Sequence, residues 1–438
     1  GHIVKFIDLR IKDYSLDKVL QILYEEKPDM LLIKPAFSSI KFTKRLSTEA
    51  KRIIRYIFCY GAVPTVYPGL FVHKNSKIDF CIIGEIELTL KNIVDTIIKK
   101  KDIKKLNGIS FYDKKTVINK KNDVENLDSL PFPKQKLFFN KGYNLYYPVN
   151  TLKLSKPGFI LSSRGCPYVC KFCSLLTKGF YSEKYRARSA QNVIKELEIM
   201  LKLGYNVIYF VDDIFGVDRK RVLKICDLII KKRLQKKFKW GAQFRVDNLD
   251  DFLLKRMKKA GCTTILVGIE SGSEKVLSEI SKDLTIDLIL KNTKLLRKHK
   301  IWVVANFIIG SPNETRKDVF SSIKLCKNIM PEMLNLSVHK IYPDILKNYN
   351  KWDNLDCNSP EDIKEHTPIH DIESKCNLSK MSNKEVKYMY GLFYKKYYFS
   401  LRYLFLVLPK ILPYYLINLK FSGKLILKTI RLLIFKNS

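Results

Sequence analysis

The chain is predicted to be α/β, with a parallel sheet at its start, a partial (β/α)6 barrel in its middle and a helical tail. Three observations predict this. Short apolar runs alternate with stretches of helical apolar spacing over residues 1–100, the pattern of strands and helices in a parallel sheet. The alternation halts at Asp128-Ser129-Leu130-Pro131-Phe132-Pro133, which can continue neither a helix nor a central strand. It resumes at Phe159 with six strand–helix beats, enough for an incomplete (β/α) barrel.

The first stretch reads as strand Ile3–Ile7 and helix Leu16–Glu26, stopped by Pro28-Asp29. Strand Met30–Ile33, helix Thr48–Phe58, strand Asp79–Ile83 and helix Glu87–Lys99 follow. The second stretch begins with strand Phe159–Ser162 and helix Ser189–Leu203, with Ser189 as N-cap and Gly204 as stop. Strands are predicted at Val207–Val211, Lys239–Phe244, Thr264–Ile269, Trp302–Ile309 and Leu334–Lys340. Between them lie helices Asp218–Arg233, Leu249–Ala260, Thr285–His299 and Glu314–Met330. Four segments result: a sheet domain (1–122), a linker (123–152), the barrel (153–345), and an irregular stretch with a basic, hydrophobic helical tail (346–438). A length of 438 residues accommodates two or three domains.

Composition narrows the class. A hydrophobic share of 46% and an aromatic share of 12% exclude a disordered chain. The 80 Lys+Arg against 43 Asp+Glu give a net charge of +37, which invites a nucleic-acid or anionic-membrane partner. Runs such as Lys99–Lys101 and Lys231–Arg233 read instead as solvated faces. Only residues 381–438 concentrate the charge, with eleven Lys/Arg against one Glu among apolar residues. The expected contact is therefore a membrane or lipid surface touched by residues 385–438, and nucleic acid is not the expected partner.

Of ten cysteines, Cys59, Cys81, Cys226, Cys262, Cys326, Cys357 and Cys376 are scattered, and most of them read as small buried hydrophobes. Residues 1–20 carry no secretory pattern, and no apolar run reaches the ~18–20 residues of a spanning helix. A cytoplasmic location is expected. The opening Gly1-His2 in place of Met suggests a natural start further upstream.

Cys166, Cys170 and Cys173 cluster in Ser163-Arg164-Gly165-Cys166-Pro167-Tyr168-Val169-Cys170-Lys171-Phe172-Cys173, just after the first barrel strand, where barrel enzymes place their chemistry. Three thiolates there suit one soft-metal site. Zinc sites usually reach four ligands with paired Cys-x-x-Cys or added His, and no His lies nearby in sequence. Three ligands on a four-iron cluster leave one iron open, as a catalytic site requires. A zinc or stabilising cluster completed by a distant residue is the alternative.

This Cys-x-x-x-Cys-x-x-Cys spacing, with Phe172 before the last Cys, resembles the radical S-adenosylmethionine (radical SAM) enzymes. Tyr209-Phe210-Val211-Asp212-Asp213-Ile214-Phe215, Gly268-Ile269-Glu270-Ser271-Gly272 and Phe307-Ile308-Ile309-Gly310-Ser311-Pro312-Asn313-Glu314-Thr315 resemble the motifs after its second, fourth and fifth strands. The resemblance implies a TIM-type partial barrel. It implies that Cys166, Cys170 and Cys173 hold a [4Fe-4S] cluster whose open iron binds S-adenosylmethionine, and that a 5′-deoxyadenosyl radical is formed. Phe172 would sit by the adenine, and Asp212 and Asp213 by the methionine ammonium. Arg245 would pair with the carboxylate, Glu270 would accept from ribose, and Gly310 and Pro312 would shape the adenine pocket. The plain alternatives are that Asp213 caps a loop, Arg245 forms a structural ion pair, and Glu270 caps the next helix. An electron donor such as flavodoxin or ferredoxin is implied as a partner.

Residues 1–100 resemble the Rossmann-like cobalamin-binding domain that often precedes this barrel. Gly1–Asp8, Pro28–Ile33 and Asp79–Glu87 look like its second, third and Gly-Glu-Gly-Glu strands, so the sheet as given is incomplete. Cobalamin is thereby implied as a third cofactor. No Asp-x-His-x-x-Gly occurs, so no His ligand to cobalt is supported; Ile86 and Tyr60-Gly61-Ala62 stand where glycines are usual. Phe393–Tyr403 resembles the segment after the barrel in relatives of the anaerobic magnesium-protoporphyrin ester cyclase; the plain reading of it is a helical cap on the barrel. The function implied is methylation or oxidative cyclisation of a small or lipid-like metabolite. The rivals are a radical methylthiotransferase acting on tRNA and a non-enzymatic iron–sulfur or zinc-binding interaction protein.

Overall fold

The computed structural model describes residues 2–9, 14–139, 156–173, 184–339 and 377–417. The 140–152 part of the linker, the 346–376 irregular segment and the tail beyond 417 lie outside the described residues.

In the N-terminal part, α1 (Leu16–Glu26) starts at Ser15, whose Oγ accepts from Lys18 N, and ends on Lys27 in a left-handed conformation before Pro28. Strands β1 (Met30–Ile33), β2 (Tyr56–Cys59) and β3 (Phe80–Ile82) are parallel neighbours, with α2 (Ile40–Ala50), α3 (Ala62–Val66) and α4 (Ile86–Ile98) between and after them. Two further strands, β4 (Ile109–Asp113) and β5 (Lys115–Ile118), extend the sheet as an antiparallel hairpin, giving the order β1-β2-β3-β4-β5.

Two expectations are corrected here. Ile3–Ile7 forms no strand: Ile3 and Val4 are exposed, and Phe6 packs edge-on against Phe138. An extended segment without a neighbouring strand has no ladder to join. The predicted helix Thr48–Phe58 ends at Ala50, and its second half becomes β2. The buried Ile57 and Phe58 pair with Leu31 and Leu32 in the ladder, where β-branched and aromatic side chains fill a doubly covered sheet.

The barrel part is a six-stranded, wholly parallel sheet: β6 (Pro157–Ile160), β9 (Val207–Phe210), β10 (Lys239–Phe244), β11 (Cys262–Glu270), β12 (Trp302–Ile309) and β13 (Met333–Val338), side by side in chain order. The two-residue strands β7 (Ser163–Arg164) and β8 (Arg186–Ala187) form a separate hairpin beyond β6. Helices α5 (Ala190–Lys202), α6 (Arg219–Lys231), α7 (Asp251–Lys259), α8 (Glu274–Glu279), α9 (Ile286–Lys298) and α10 (Arg316–Ile329) connect the strands. Ser189, Asp218, Asp250, Thr285 and Thr315 cap five of them, each side chain accepting from a backbone N–H in the first turn. The core holds fully buried Phe210, Phe215, Trp240 and Phe244 in mutual edge and tilted contacts.

After the barrel, α11 (Asn383–Tyr398) lies along β13. Tyr394 and Tyr398 accept from Leu336 N (3.3 Å) and Leu334 N (3.2 Å), covering an edge strand that would otherwise offer its amides to another chain. The helical-cap reading of the aromatic segment therefore describes α11. The helices α12 (Leu401–Leu406) and α13 (Leu408–Ile417) behave differently. Tyr403, Val407 and Ile411 face the core, but Leu401, Leu404, Phe405, Leu406 and Leu412 are exposed.

Candidate active site

The cysteine loop leaves the carboxyl end of β6, and its base is fixed first. Asp212, just past β9, is buried and accepts from Ser162 N (2.6 Å), Ser162 Oγ (2.6 Å) and Ser163 Oγ (2.5 Å). Ser162 O accepts in turn from Arg221 Nη2 (2.8 Å) and Arg188 N (3.0 Å). Every polar atom of Ser162 is thus held, so the chain enters the loop in one direction. Both Asp212 oxygens are used inside the protein, and burial raises its carboxyl pKa despite the nearby Arg221. Asp212 is a support for the loop, and the acidic group left for a cationic ligand is Asp213. Burial, with the Asp212 charge beside it, pushes Asp213 up to about 6. Ionising it against those two effects is easier when a cation arrives.

Cys166 and Cys173 are partly exposed, Cys170 is buried, and none of the three is in a disulfide. Gly165 opens the loop at φ +83°, a conformation that favours glycine. Cys173 N donates to Cys170 O (3.1 Å) in a tight turn, and Lys171 N donates to Ile280 O (3.0 Å). Tyr168 and Asn248 share a hydrogen bond at 2.8 Å. These contacts bind the loop to the segments after β10 and α8.

Arg245, directly after β10, is buried against the loop. Its guanidinium pairs with Asp247 (3.0 Å), donates to Lys282 O (3.0 Å), lies 4.0 Å from the Tyr168 ring centroid and approaches Cys170 Sγ at 3.8 Å. The structural ion pair set against the cofactor role is therefore present. The guanidinium's place is beside Cys170, the buried one of the three clustered thiols. Glu270 ends β11 at φ +65°, where the β11–β12 register shifts. It does not cap α8, whose N-cap is Ser273. It pairs with buried Lys282 (3.0 Å), whose ammonium lies 5.6 Å from the Phe172 ring centroid. Gly268 makes room for this: a Cβ there would collide with the Glu270 carboxylate and come within 2.9 Å of Lys282 Nζ.

At the end of β12, Gly310 adopts φ +78°, and a Cβ there would meet only ordinary contacts, so its backbone conformation is what calls for glycine. Gly310 N and Ser311 N donate to Glu314 Oε2 at 2.5 and 3.2 Å, which folds the Gly310–Pro312 turn around a fully buried carboxyl. Burial pushes Glu314 up to about 8.

Residues to which the sequence reading gave no role include Tyr168, Asn248, Lys282, Ser162, Arg164, Arg186 and Glu85. Tyr168 and Arg164 lie inside the cysteine motif and Glu85 inside the segment resembling the Gly-Glu-Gly-Glu strand end, so each carried a local signal; Lys282 is brought in from a separate segment and carried none. Among the described residues no three His, Cys, Asp or Glu side chains converge as a site for a single ion. Thiolates on a four-iron cluster each bind a different iron, so they need not converge on one point. The donor set, three thiols with a guanidinium at one sulfur, suits such a cluster in chemistry and charge.

Residues 160–326 match the radical SAM superfamily. An uncharacterized methyltransferase of Pyrococcus horikoshii is 30% identical over 347 residues, which cover 78% of this chain and 73% of that one. The chain belongs to the radical SAM superfamily. The family's cofactors are a [4Fe-4S] cluster and S-adenosylmethionine, and the protein is an enzyme. An anaerobic magnesium-protoporphyrin IX monomethyl ester cyclase of Rubrivivax gelatinosus is 28% identical over 353 residues, covering 78% of this chain and 61% of the cyclase. Among solved structures, the radical SAM methyltransferase TsrM of Kitasatospora setae, with cobalamin and a [4Fe-4S] cluster bound, superposes with a TM-score of 0.64 at 15% identity. It covers 77% of this chain and 69% of that one. This likeness extends the shared fold over the N-terminal sheet as well as the barrel.

Proposed function

We propose that this radical SAM enzyme methylates, or oxidatively cyclises, a small or lipid-like metabolite. The observation that carries the reading is the cysteine loop, docked by Asp212 onto the end of β9 and by Arg245 and Tyr168 onto the end of β10. Cys166, Cys170 and Cys173 would hold the cluster. Bound there, cluster and S-adenosylmethionine would supply a 5′-deoxyadenosyl radical after reduction by one electron from a flavodoxin- or ferredoxin-type donor. Arg245 holds Cys170 and balances thiolate charge. Asp213 offers a carboxylate to the cofactor's ammonium, and Phe172, kept in place by Lys282, offers an adenine-sized face. Glu270, Gly310 and Pro312 line the same strand ends for the ribose and adenine. Methylation is favoured over cyclisation because the 30%-identical relative carries methyltransferase in its name.

Cobalamin is proposed at the carboxyl edge of β1–β3. Parallel sheets bind ligands at that edge. Here the edge carries Gly61 and Gly84, both with positive φ, and what lies against them is the stems of Lys34 and Lys121. The TsrM likeness points the same way.

A cytoplasmic enzyme that touches an anionic membrane surface is proposed from α12 and α13. Leu401 and Phe405 are 71% and 73% exposed, with Arg402 and Lys410 beside them, whereas an ordinary surface helix turns polar residues outward. No described helix is long and apolar enough to cross a membrane.

Anaerobic reconstitution, assays of iron, sulfide and cobalt, and incubation with methyl-labelled S-adenosylmethionine test the reading. Cobalt uptake and label transfer to a small or lipid acceptor are expected. Label transferred only to tRNA would replace this reading with the methylthiotransferase class.

A further inference from the structure

The loop that carries the three cysteines is closed by the β7–β8 hairpin, and that hairpin places Arg164 directly opposite Arg186. Like charges at opposed positions repel, and both arginines are buried, with side chains 10% and 4% exposed. The charge that reconciles them comes from the other sheet. Glu85 follows β3 and Gly84, is the N-cap residue of α4, and its side chain is fully buried. Its Oε1 accepts from Arg186 Nη2 (2.6 Å). Its Oε2 accepts from Arg186 Nη1 (3.2 Å) and Val124 N (2.8 Å) and pairs with Arg164 Nη1 (3.1 Å). Two residues further, in the first turn of α4, Glu87 pairs with Arg164 Nη2 (2.5 Å). Arg186 Nη1 also donates to Val124 O (2.7 Å), so a single carboxylate and a short stretch of chain grip both ends of the cysteine loop.

We propose that Glu85 is a positioning residue for the cysteine loop: its buried carboxylate ties Arg164 and Arg186 to the carboxyl edge of the N-terminal sheet, so that the order of the loop depends on that sheet. Arg164 stands two residues before Cys166, so a loosened hairpin transmits directly to the first thiol. Gly84 N donates to Thr65 Oγ1 (3.0 Å), which fixes the backbone from which Glu85 projects. The same edge is where a ligand of the N-terminal sheet would bind, and Glu85 therefore links that edge to both arms of the hairpin that closes the cysteine loop. Only the spectroscopic arm of the test rests on the cluster assignment above.

The experiment compares full-length wild type with Glu85→Gln and Glu87→Gln. Hydrogen exchange is measured on the protein without cluster, and the electron paramagnetic resonance spectrum after anaerobic reconstitution and reduction. Gln keeps the shape and removes the charge. In Glu85→Gln, peptides covering 163–173 and 184–188 exchange about tenfold faster or more, as expected when a buried pair loses one partner, while β10–β12 keep their protection. The cluster spectrum broadens or shifts. Unchanged exchange in those peptides together with an unchanged spectrum overturns the proposal. Should Glu85→Gln lose protection in β10–β12 as well, Glu87→Gln decides, because Glu87 is partly exposed and grips Arg164 alone. A smaller acceleration confined to 163–173 supports the clamp, and none overturns it. A hairpin loosened by Glu85→Gln in a protein that takes up no cluster would support the clamp and refute the cluster assignment.

Discussion

Arg245 Nη1 lies 3.8 Å from Cys170 Sγ, while the same guanidinium stacks on Tyr168 and pairs with Asp247. One side chain therefore sets both the position and the electrostatic surroundings of the buried member of the cysteine triad. Reduction potentials of iron–sulfur clusters follow net charge and hydrogen bonding at sulfur.

Arg245→Gln should therefore lower the cluster's midpoint potential, because a positive charge that favours the reduced, more negative state is removed. The three cysteines remain, so iron content after reconstitution should stay near the wild-type value. A redox titration followed by electron paramagnetic resonance checks this; an unchanged or raised potential would place Arg245 outside the cluster's influence.

Asp212→Ala should cost about 1–3 kcal/mol in urea unfolding, since it strands Ser162 N and two serine hydroxyls without their buried acceptor. It should also reduce cluster retention more than an equally destabilising change in the N-terminal sheet, because the serines stand at the root of the loop.

Gly268→Ala should cost about 1–3 kcal/mol through overpacking, since the new methyl collides with the Glu270 carboxylate. Displacing Glu270 frees Lys282 from its partner below Phe172. Equilibrium unfolding and S-adenosylmethionine affinity by calorimetry should both weaken, and a neutral result in both would show that the pair is not needed.

Glu314 gives a pH prediction. Its folded-state pKa is raised from an ordinary value of 4.5 to about 8, so the folded protein binds a proton that the unfolded chain releases between those values. The stability from this group is complete below about pH 4.5 and is lost as pH rises toward 8. Glu314→Gln keeps an acceptor for Gly310 N and Ser311 N without the ionisation. The variant's melting temperature should gain on wild type between pH 5 and pH 8.5, and parallel curves would contradict the assignment.

Phe405→Glu should abolish sedimentation of the protein with vesicles containing anionic phosphatidylglycerol, without changing its melting temperature by more than a degree or two, because the side chain is exposed. Binding to wholly zwitterionic vesicles should be weaker in wild type, and binding should fall with salt.

Much of the fold was legible in the sequence. The bounds of β10 and β12 follow from apolar runs between clear stops, and Ser189 and Thr285 announce their helices as caps. Thr48–Phe58 misleads because a helix and a buried strand adjoin without a glycine or proline between them, and a continuous apolar pattern fits both. Within the site, the cysteines are readable from spacing alone. Asp212 and Asp213 are not separable that way, because successive residues leave a strand on opposite faces and only the packing of Ser162 shows which carboxylate turns inward. Glu85 and Lys282 act through partners 101 and 12 residues away, brought close by the sheet and by the turn after α8. No local pattern encodes such contacts.

The most direct test of the central claim is the formation of 5′-deoxyadenosine by anaerobically reconstituted, chemically reduced protein, wild type beside Cys170→Ala. Wild type should carry about four iron per chain and cleave S-adenosylmethionine, and Cys170→Ala should retain its fold with cleavage abolished. Cleavage at the wild-type rate in Cys170→Ala, or a fully loaded wild type that forms no 5′-deoxyadenosine, would contradict the account.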